Sequence, residues 1–245
     1  MSTTTLSFSL LTLTGVDTEK FLQGQVTVDV TKIRSNEHRP TAICDLKGRI
    51  IFGLWLMRQS AEQFDVVIST DLLDGFKAHI RKYGAFSKMT ASDSQDIYPV
   101  IINDAADFQT NESVTTVDEW KKTAIAQGAA WITAENAGLF QPQELRLHQR
   151  GGVDYDKGCY LGQEIVARLY FRAKPKAWLH LVKGTDHVPQ VGQAIEPHVT
   201  VVNVVETTEG WEALVVARPD ALVESGLLIL PLPDALNGEV GRVVV

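Results

Sequence analysis

The sequence predicts an α+β protein: mixed sheet and helix over most of its length, then strand alone, where a small antiparallel β-barrel is expected. Three observations predict this. Several short runs before residue 70 alternate apolar and polar residues, and among them lie segments with apolar residues at helical spacing that stop at glycines. Beyond residue 176 only short alternating runs remain, separated by proline and glycine. The expected division is an N-terminal α+β region over 1–102, a middle segment over 103–176 and the barrel over 177–245.

Residues 6–13 read as a half-buried strand broken by Gly15, and Asp17 is placed to cap a short helix carrying Phe21 and Leu22 and ending near Gly24. Gln25 follows at the turn, where its amide either faces a ligand or caps the turn. Residues 41–44 and 50–57 form a predicted hairpin whose turn, Asp45-Leu-Lys-Gly48, relies on the glycine. A strand over 64–69 leads to a helix after Thr70 with Leu72, Phe76, Ile80 and Tyr83 on its buried side, stopping at Gly84. Arg81 and Lys82 suit its solvated C-terminal end. A strand is expected over 86–90, and a polar loop rich in Asn, Asp and Thr over 103–117.

Trp120, Ala124 and Gln127 indicate a helix ending at Gly128, after which 133–138 and 144–149 lead toward residue 157. The basic stretch Phe171-Arg-Ala-Lys-Pro-Lys176 is a connector, with Pro175 ending any helix. Strands follow over 178–182, 199–206, 211–217, 227–230 and 240–245, the second and third paired through a turn at 207–210.

A hydrophobic content of 44% supplies a core. No apolar run approaches the length of a bilayer span, and the first residues lack the basic region and cleavage pattern of a secretory signal, so the expected address is the cytoplasm. Cys44 and Cys159 offer neither a disulfide framework nor a metal pattern; no zinc site and no phosphate loop of the Walker type is expected. The net charge of −7 disfavours direct binding of nucleic acid.

The chemically richest stretch is Lys157-Gly-Cys-Tyr-Leu-Gly-Gln-Glu-Ile-Val-Ala-Arg168. Gly158 frees the backbone ahead of helical spacing, so Cys159 is expected at or beside a helix N-terminus, where unpaired N–H groups and the dipole favour a thiolate. Lys157 adds a positive charge beside it. On a helical wheel Leu161, Ile165 and Leu169 form an apolar stripe, while Tyr160, Gln163, Glu164 and Arg168 gather on another face. The plainer alternative is a capped helix with a small buried cysteine and a surface Glu164–Arg168 pair.

Lys157-Gly-Cys-Tyr-x-Gly-Gln-Glu164 resembles the signature of the YgfZ family, folate-binding proteins related to the aminomethyltransferase (T-protein) of the glycine cleavage system. Similar flanks are Phe140-Gln-Pro-Gln143, Gly151-Gly-Val153 and Val166-Ala-Arg168, and further upstream Leu13-Thr-Gly15, Phe21-Leu-Gln-Gly-Gln25, Asp45-x-Lys-Gly48 and Tyr83-x-x-Phe-Ser-Lys88. The resemblance implies T-protein-like mixed sheet-and-helix domains with ferredoxin-like elements, residues 1–102 and 103–176 together forming a folate-binding domain, and the same C-terminal barrel. It implies tetrahydrofolate or another reduced folate as ligand, with Gln25, Lys47, Arg49, Tyr160, Gln163, Glu164 and Arg168 as its binding residues and Cys159 and Lys157 as the reactive pair. Arg146 resembles an arginine of a T-protein helix, although a surface salt bridge explains it nearly as well.

The implied function is support of iron–sulfur cluster assembly or repair in client enzymes, and through them tRNA methylthiolation, with those enzymes or assembly factors as partners. A one-carbon transferase like the T-protein is a second reading; Phe52 and Gly53 stand where its acidic pair would fall and count against it. A direct tRNA-binding module is a third, disfavoured by charge.

Overall fold

A computed structural model of the chain describes residues 6–242. The first sheet is built from β1 (Phe8–Thr14), β2 (Arg39–Cys44), β3 (Ile50–Arg58), β4 (Gln63–Ser69), β5 (Thr90–Ala91), β6 (Gln95–Ile102) and β7 (Ala105–Gln109), in the order β2-β3-β4-β1-β6-β7 with β5 also on β1. All its pairings are antiparallel. Helices α1 (Thr18–Gln23), α2 (Leu73–Tyr83), α3 (Val117–Ala126) and α4 (Gln163–Phe171) pack around it. The second sheet holds β8 (Trp178–Gly184), β9 (Ala194–Glu196), β10 (Val199–Thr207), β11 (Gly210–Ala217) and β12 (Leu228–Leu230), with α5 (Pro219–Glu224) between the last two strands.

Strand β3 shows why the first sheet is covered on both sides. Ile50, Phe52, Leu54 and Leu56 are buried at the two-residue period of a strand, and Phe52 meets Phe76 of α2 edge to face at 5.6 Å. The opposite face carries Trp55, whose ring lies 5.8 Å from Phe8 and 4.8 Å from Phe108. Trp120 of α3 and Trp131 extend this aromatic cluster, 5.4 Å apart. Edge-to-face rings at these separations add to the stabilisation from their buried area.

The predicted strands before residue 70 and the helix of Trp120 are present, and three expectations for this half are corrected. Asp17 is the N-cap residue of α1, its carbonyl accepting from Phe21 N–H, but its side chain makes no capping bond; its carboxylate accepts from the backbone N–H of Lys88 at 2.7 Å, tying down the turn after α2. That turn replaces the strand expected over 86–90, of which only Thr90–Ala91 pairs. The expected loop over 103–117 begins instead as the β6–β7 hairpin, turning through Asn103 and Asp104 at φ 49° and 61°. Consecutive Asn and Asp suit a turn that needs both central residues left-handed. Thr116 and Glu119 then form a reciprocal capping box for α3.

The C-terminal strands form an open antiparallel sheet in the order β12-β8-β11-β10-β9. A closed barrel is not described: the edge strands β12 and β9 pair over short spans and not with each other. Residues 240–242 of the last expected strand lie outside any strand, and residues 243–245 lie outside the described residues. Among the described residues no helix is long and apolar enough to cross a membrane.

Residues 131–136 are joined to the second sheet by a buried amide network. A bulge in β10 between Val201 and Asn203 turns Asn203 inward. Its side chain accepts from Trp131 N–H and donates to Trp131 O, both at 3.0 Å, while Asn136 donates to Val202 O at 2.9 Å. Both asparagines are fully buried. Asn203→Ala leaves the Trp131 N–H without its acceptor in the core, so urea unfolding should show a loss of about 1–3 kcal/mol. An unchanged midpoint would show that this network does not hold residues 131–136 to the second sheet.

Candidate functional site

The site is built where residues 152–161 run alongside the turn that ends α1. Asp154 N–H donates to Thr27 O at 3.0 Å and Leu161 N–H to Gly24 O at 3.3 Å, so both ends of the stretch are fastened. Asp154 Oδ2 accepts from Asp29 N–H at 2.7 Å and from Arg39 Nη2 at 2.9 Å. Between these ties the Lys157 ammonium turns inward, donating to Gln23 O at 2.8 Å and Val26 O at 2.6 Å. It lies 4.9 Å over the Tyr160 ring. Burial pulls the Lys157 pKa down to about 8, against the opposing influence of Asp29 and Asp154.

This placement corrects two expectations. Lys157 is a structural tie to carbonyls at the end of α1, where a cation suits the helix dipole, and its ammonium is not directed to the thiol. Cys159 is also not at a helix N-terminus, because α4 starts only at Gln163. The N-cap is Gly162 at φ 80°, and a Cβ there would lie 2.4 Å from Asp45 O and 3.0 Å from Cys44 Cβ. Only glycine lets the motif close onto the β2–β3 hairpin in that conformation. Cys159 is left on the irregular stretch ahead of the cap, exposed, while Cys44, next to Gly162, is buried.

The face expected to hold Tyr160, Gln163, Glu164 and Arg168 together is also divided. Tyr160 is buried among the core residues, and burial pushes its phenol pKa up. Gln163 is half-buried, Glu164 and Arg168 are exposed, and no ion pair between Glu164 and Arg168 occurs among the described residues. Nor do Leu161, Ile165 and Leu169 form the buried stripe: Val166 is the buried residue of α4. Gln143, itself fully buried, fixes that helix by donating to Val166 O at 2.6 Å and to the Tyr155 hydroxyl at 3.1 Å.

The hairpin tip meets the start of α4. Asp45 Oδ1 accepts from the N–H groups of Lys47 and Arg49 at 2.8 and 2.9 Å, and Gly48, at φ 73°, faces the Ile165 side chain. Arg49 donates to the carbonyls of Gly138 and Leu139, whereas Lys47 is exposed. Thus Lys47, Arg49, Gln163 and Glu164 surround one junction, and Gln25, Lys157, Cys159 and Tyr160 the adjacent α1 end. Arg168 lies further along α4.

His79 was missed by the sequence pattern, although it sits beside Phe76 and Ile80 on the buried side of α2. Its Nε2–H donates to Gln25 Oε1 at 2.8 Å, and its ring lies 4.4 Å from that of Tyr83. Burial, aided by Lys82, pulls its pKa down to about 4 and keeps the ring neutral. Arg146 is not in a helix or a salt bridge; at φ 53° it donates to Leu179 O, Gly238 O and Gln149 Oε1, pinning the C-terminal segment.

A narrow crevice separates the β2–β3 face from residues 130–150, with Gly53, Trp55, Trp131, Ile132, Leu147 and Arg150 among its walls and a cavity of about 20 Å³. A Cβ on Gly53 would lie 2.7 Å from Ile132 Cγ1. Ile132 therefore fills the space a side chain at position 53 would need. Among the described residues no group of three or more His, Cys, Asp or Glu is placed to hold a metal ion.

Alkylation read by mass spectrometry should modify Cys159 quickly and leave Cys44 unmodified in the native state, since burial together with Asp45 pushes the Cys44 thiol pKa up. Equal labelling would contradict the exposure of the one and the sealing of the other. His79 also generates a pH dependence. The unfolded imidazole titrates at 6.5 and the folded one at about 4, so the unfolded state binds more protons between those values. Its stabilising contribution is complete above pH 6.5 and falls by up to about 1.4 kcal/mol per pH unit below it. His79→Gln should flatten the loss measured by urea unfolding between pH 7 and 5, with His148 and His180, also pulled down to about 4 by burial, supplying the rest. An unaltered slope would mean that His79 is not held neutral by the fold.

No family model matches the chain. Among curated proteins, the tRNA-modifying protein YgfZ of Klebsiella pneumoniae (strain 342) is 30% identical, the match covering 77% of this chain and 73% of the relative. The protein of the same name from Cronobacter sakazakii (strain ATCC BAA-894) is 31% identical over the same shares. Among solved structures, the glycine cleavage system aminomethyltransferase T from Bartonella henselae superposes with a TM-score of 0.60 at 10% identity, covering 86% of this chain and 76% of that one. At that identity the likeness is one of fold. The sequence relationship is closer, and on it the chain belongs to the YgfZ family.

Proposed function

We propose that the protein acts in tRNA modification, as the names of its relatives say of them, by binding a reduced folate such as tetrahydrofolate and supporting iron–sulfur enzymes that methylthiolate tRNA. The observation that carries this reading is Cys159: an exposed thiol on a stretch fastened on both sides, with the other cysteine sealed. A cysteine sulfur held in a fixed place at the surface is a soft ligand for iron and a partner for thiol–disulfide exchange. Contact with a client enzyme or assembly factor is the step that such a placement allows. Methylthiolation itself belongs to the client, and the net charge of −7 favours indirect contact with tRNA over direct binding.

The folate reading is supported by the chemistry of the rim. Gln25 keeps its amide N–H₂ free of the His79 bond, Gln163 and Glu164 offer an amide and a carboxylate, and Lys47 and Arg168 offer exposed cations. Such groups suit the donor–acceptor edge and anionic tail of a folate. The crevice of about 20 Å³ is too small for the pterin, which would lie at the open surface. Bound, a reduced folate supplies a carrier of one-carbon units. Aminomethyl transfer is not favoured: Phe52 packs on Phe76 and His79, Gly53 faces Ile132, and neither position brings a carboxylate to stabilise charge.

Cys159→Ser should abolish support of a methylthiolated tRNA product in a strain lacking the protein, while tetrahydrofolate binding measured by calorimetry stays within about twofold of wild type. The site is exposed and the volumes are close, so folding is expected to be preserved to within about 0.5 kcal/mol. Restoration of the product by the serine variant would place the function elsewhere than in the thiol.

A further inference from the structure

A groove of about 540 Å³ runs between α2 and the segment that carries β5. Lys77, Ile80 and Arg81 line it from the helix, and residues 89–93 line it from the strand. The strand side is an open edge. β5 pairs with β1 alone, through Thr90 and Ala91, and β7 joins β6 only from Tyr98 onward. Among the described residues, no strand therefore pairs with the outer side of the chain from Thr90 to Ile97. Thr90, Ala91 and Ser92 are all exposed. An edge of this kind presents unpaired N–H and C=O groups and can take up an extended segment of another chain.

The groove is also cationic in an acidic protein. Between Asp74 and Asp93 the sequence carries Lys77, Arg81, Lys82 and Lys88 and no carboxylate, against a net charge of −7 for the whole chain. Among the described residues none of these four cations is in an ion pair. Lys77 donates to Ser94 Oγ at 3.3 Å, and Arg81, one helical turn on, is exposed. Ile80 and Met89 add apolar surface to the same groove, and Phe86, next to Ala85 of its wall, is fully exposed.

A strand added to this edge turns alternate side chains toward α2, where Lys77 and Arg81 suit carboxylates and Ile80 and Met89 suit apolar groups. A phosphodiester chain would meet the cations but has no N–H and C=O groups at strand spacing for the edge, and the net charge repels it. We propose that the groove between α2 and β5 is a docking site for an extended acidic segment of a partner protein, added as a strand to the outer edge of β5. The inference rests on the function proposed above only for who the partner is, an iron–sulfur client or assembly factor. On its other side α2 holds Gln25 through His79, so one helix carries both the docking groove and part of the candidate site.

The test is fluorescence anisotropy on the full chain with three kinds of labelled probe: an octapeptide of alternating glutamate and valine, two versions of it N-methylated on alternate residues in either phase, and a single-stranded uridine oligonucleotide. Wild type is expected to bind the octapeptide with an affinity that weakens as salt is raised. Arg81→Glu should lower that affinity about tenfold or more, whereas Lys122→Glu, which reverses an exposed cation on α3, should leave it unchanged. N-methylation keeps the charges and removes strand donors, so at least one phase should also lose about tenfold. Both substituted side chains are exposed, and folding is expected to be unaffected.

Equal octapeptide binding by wild type and Arg81→Glu would overturn the site, and an equal loss in Lys122→Glu would reduce it to general charge attraction. Full affinity of both N-methylated peptides would overturn strand addition. Arg81-dependent binding of the oligonucleotide in place of the octapeptide would assign the groove to nucleic acid and overturn the proposal. Failure of wild type to bind the octapeptide would overturn the groove while leaving the function proposed above standing, since that function turns on Cys159. Restoration of the methylthiolated product by Cys159→Ser, with octapeptide binding intact, would overturn that function and keep the groove.

Discussion

The ammonium of Lys157 is the interaction on which the rest of the site depends. A lysine head group carries three donors on a compact charge. Here two reach the carbonyls of Gln23 and Val26, and the charge also rests over the Tyr160 ring. Those carbonyls would otherwise be poorly satisfied where α1 gives way to a turn. The cation is tolerated in a buried place because Asp29 and Asp154 lie close enough to favour its charged form. Residue 157 is thus fixed beside a buried Tyr160, while Cys159 between them is exposed.

Close contacts at glycine extend that constraint to neighbouring elements. Gly162 allows α4 to begin against the backbone of Asp45, and Gly48 receives the side chain of Ile165 from the other side. The hairpin tip and the helix thus interlock without a side chain between them, and Gln143 holds the helix from beneath through Val166 O. Further back, Asn136 and Asn203 join the middle segment to the C-terminal sheet through Trp131. A rigid scaffold behind an exposed loop is the usual arrangement for residues that act on something outside the molecule. The fold is shared with an aminomethyltransferase at 10% identity, and a shared fold does not by itself carry a shared chemistry; in this chain Ile132 fills the space beside Gly53.

Much of the architecture was legible because local pattern and tertiary context agree. Alternation in β3 marked the strand, and spacing of Phe76 and Ile80 marked α2. The β6–β7 hairpin was lost because Asn103 and Asp104 look like loop composition, yet they are also the residues that tolerate a left-handed turn. The Asp17 carboxylate looked like a cap and serves instead as the acceptor for Lys88, since a carboxylate near two free N–H groups bonds whichever the tertiary fold presents. The barrel expectation rested on short strands separated by proline and glycine and on the family resemblance; whether a sheet closes depends on the stagger and length of its edge strands, which alternation does not encode.

By itself the sequence determined the order of most strands and helices, the pairing of β10 with β11, and the motif around Cys159 with its family resemblance. Each of these depends on residues near one another in the chain, where periodicity and turn chemistry act. Only the tertiary structure decided that Lys157 ties down the end of α1, that Tyr160 turns inward, that His79 holds Gln25, and that Arg150 lines a crevice beside Trp55 and Trp131. These depend on which carbonyls and side chains lie across from a residue once the chain has folded. A lysine, a tyrosine or an arginine carries no local mark of whether it will meet water, a backbone oxygen or an apolar wall.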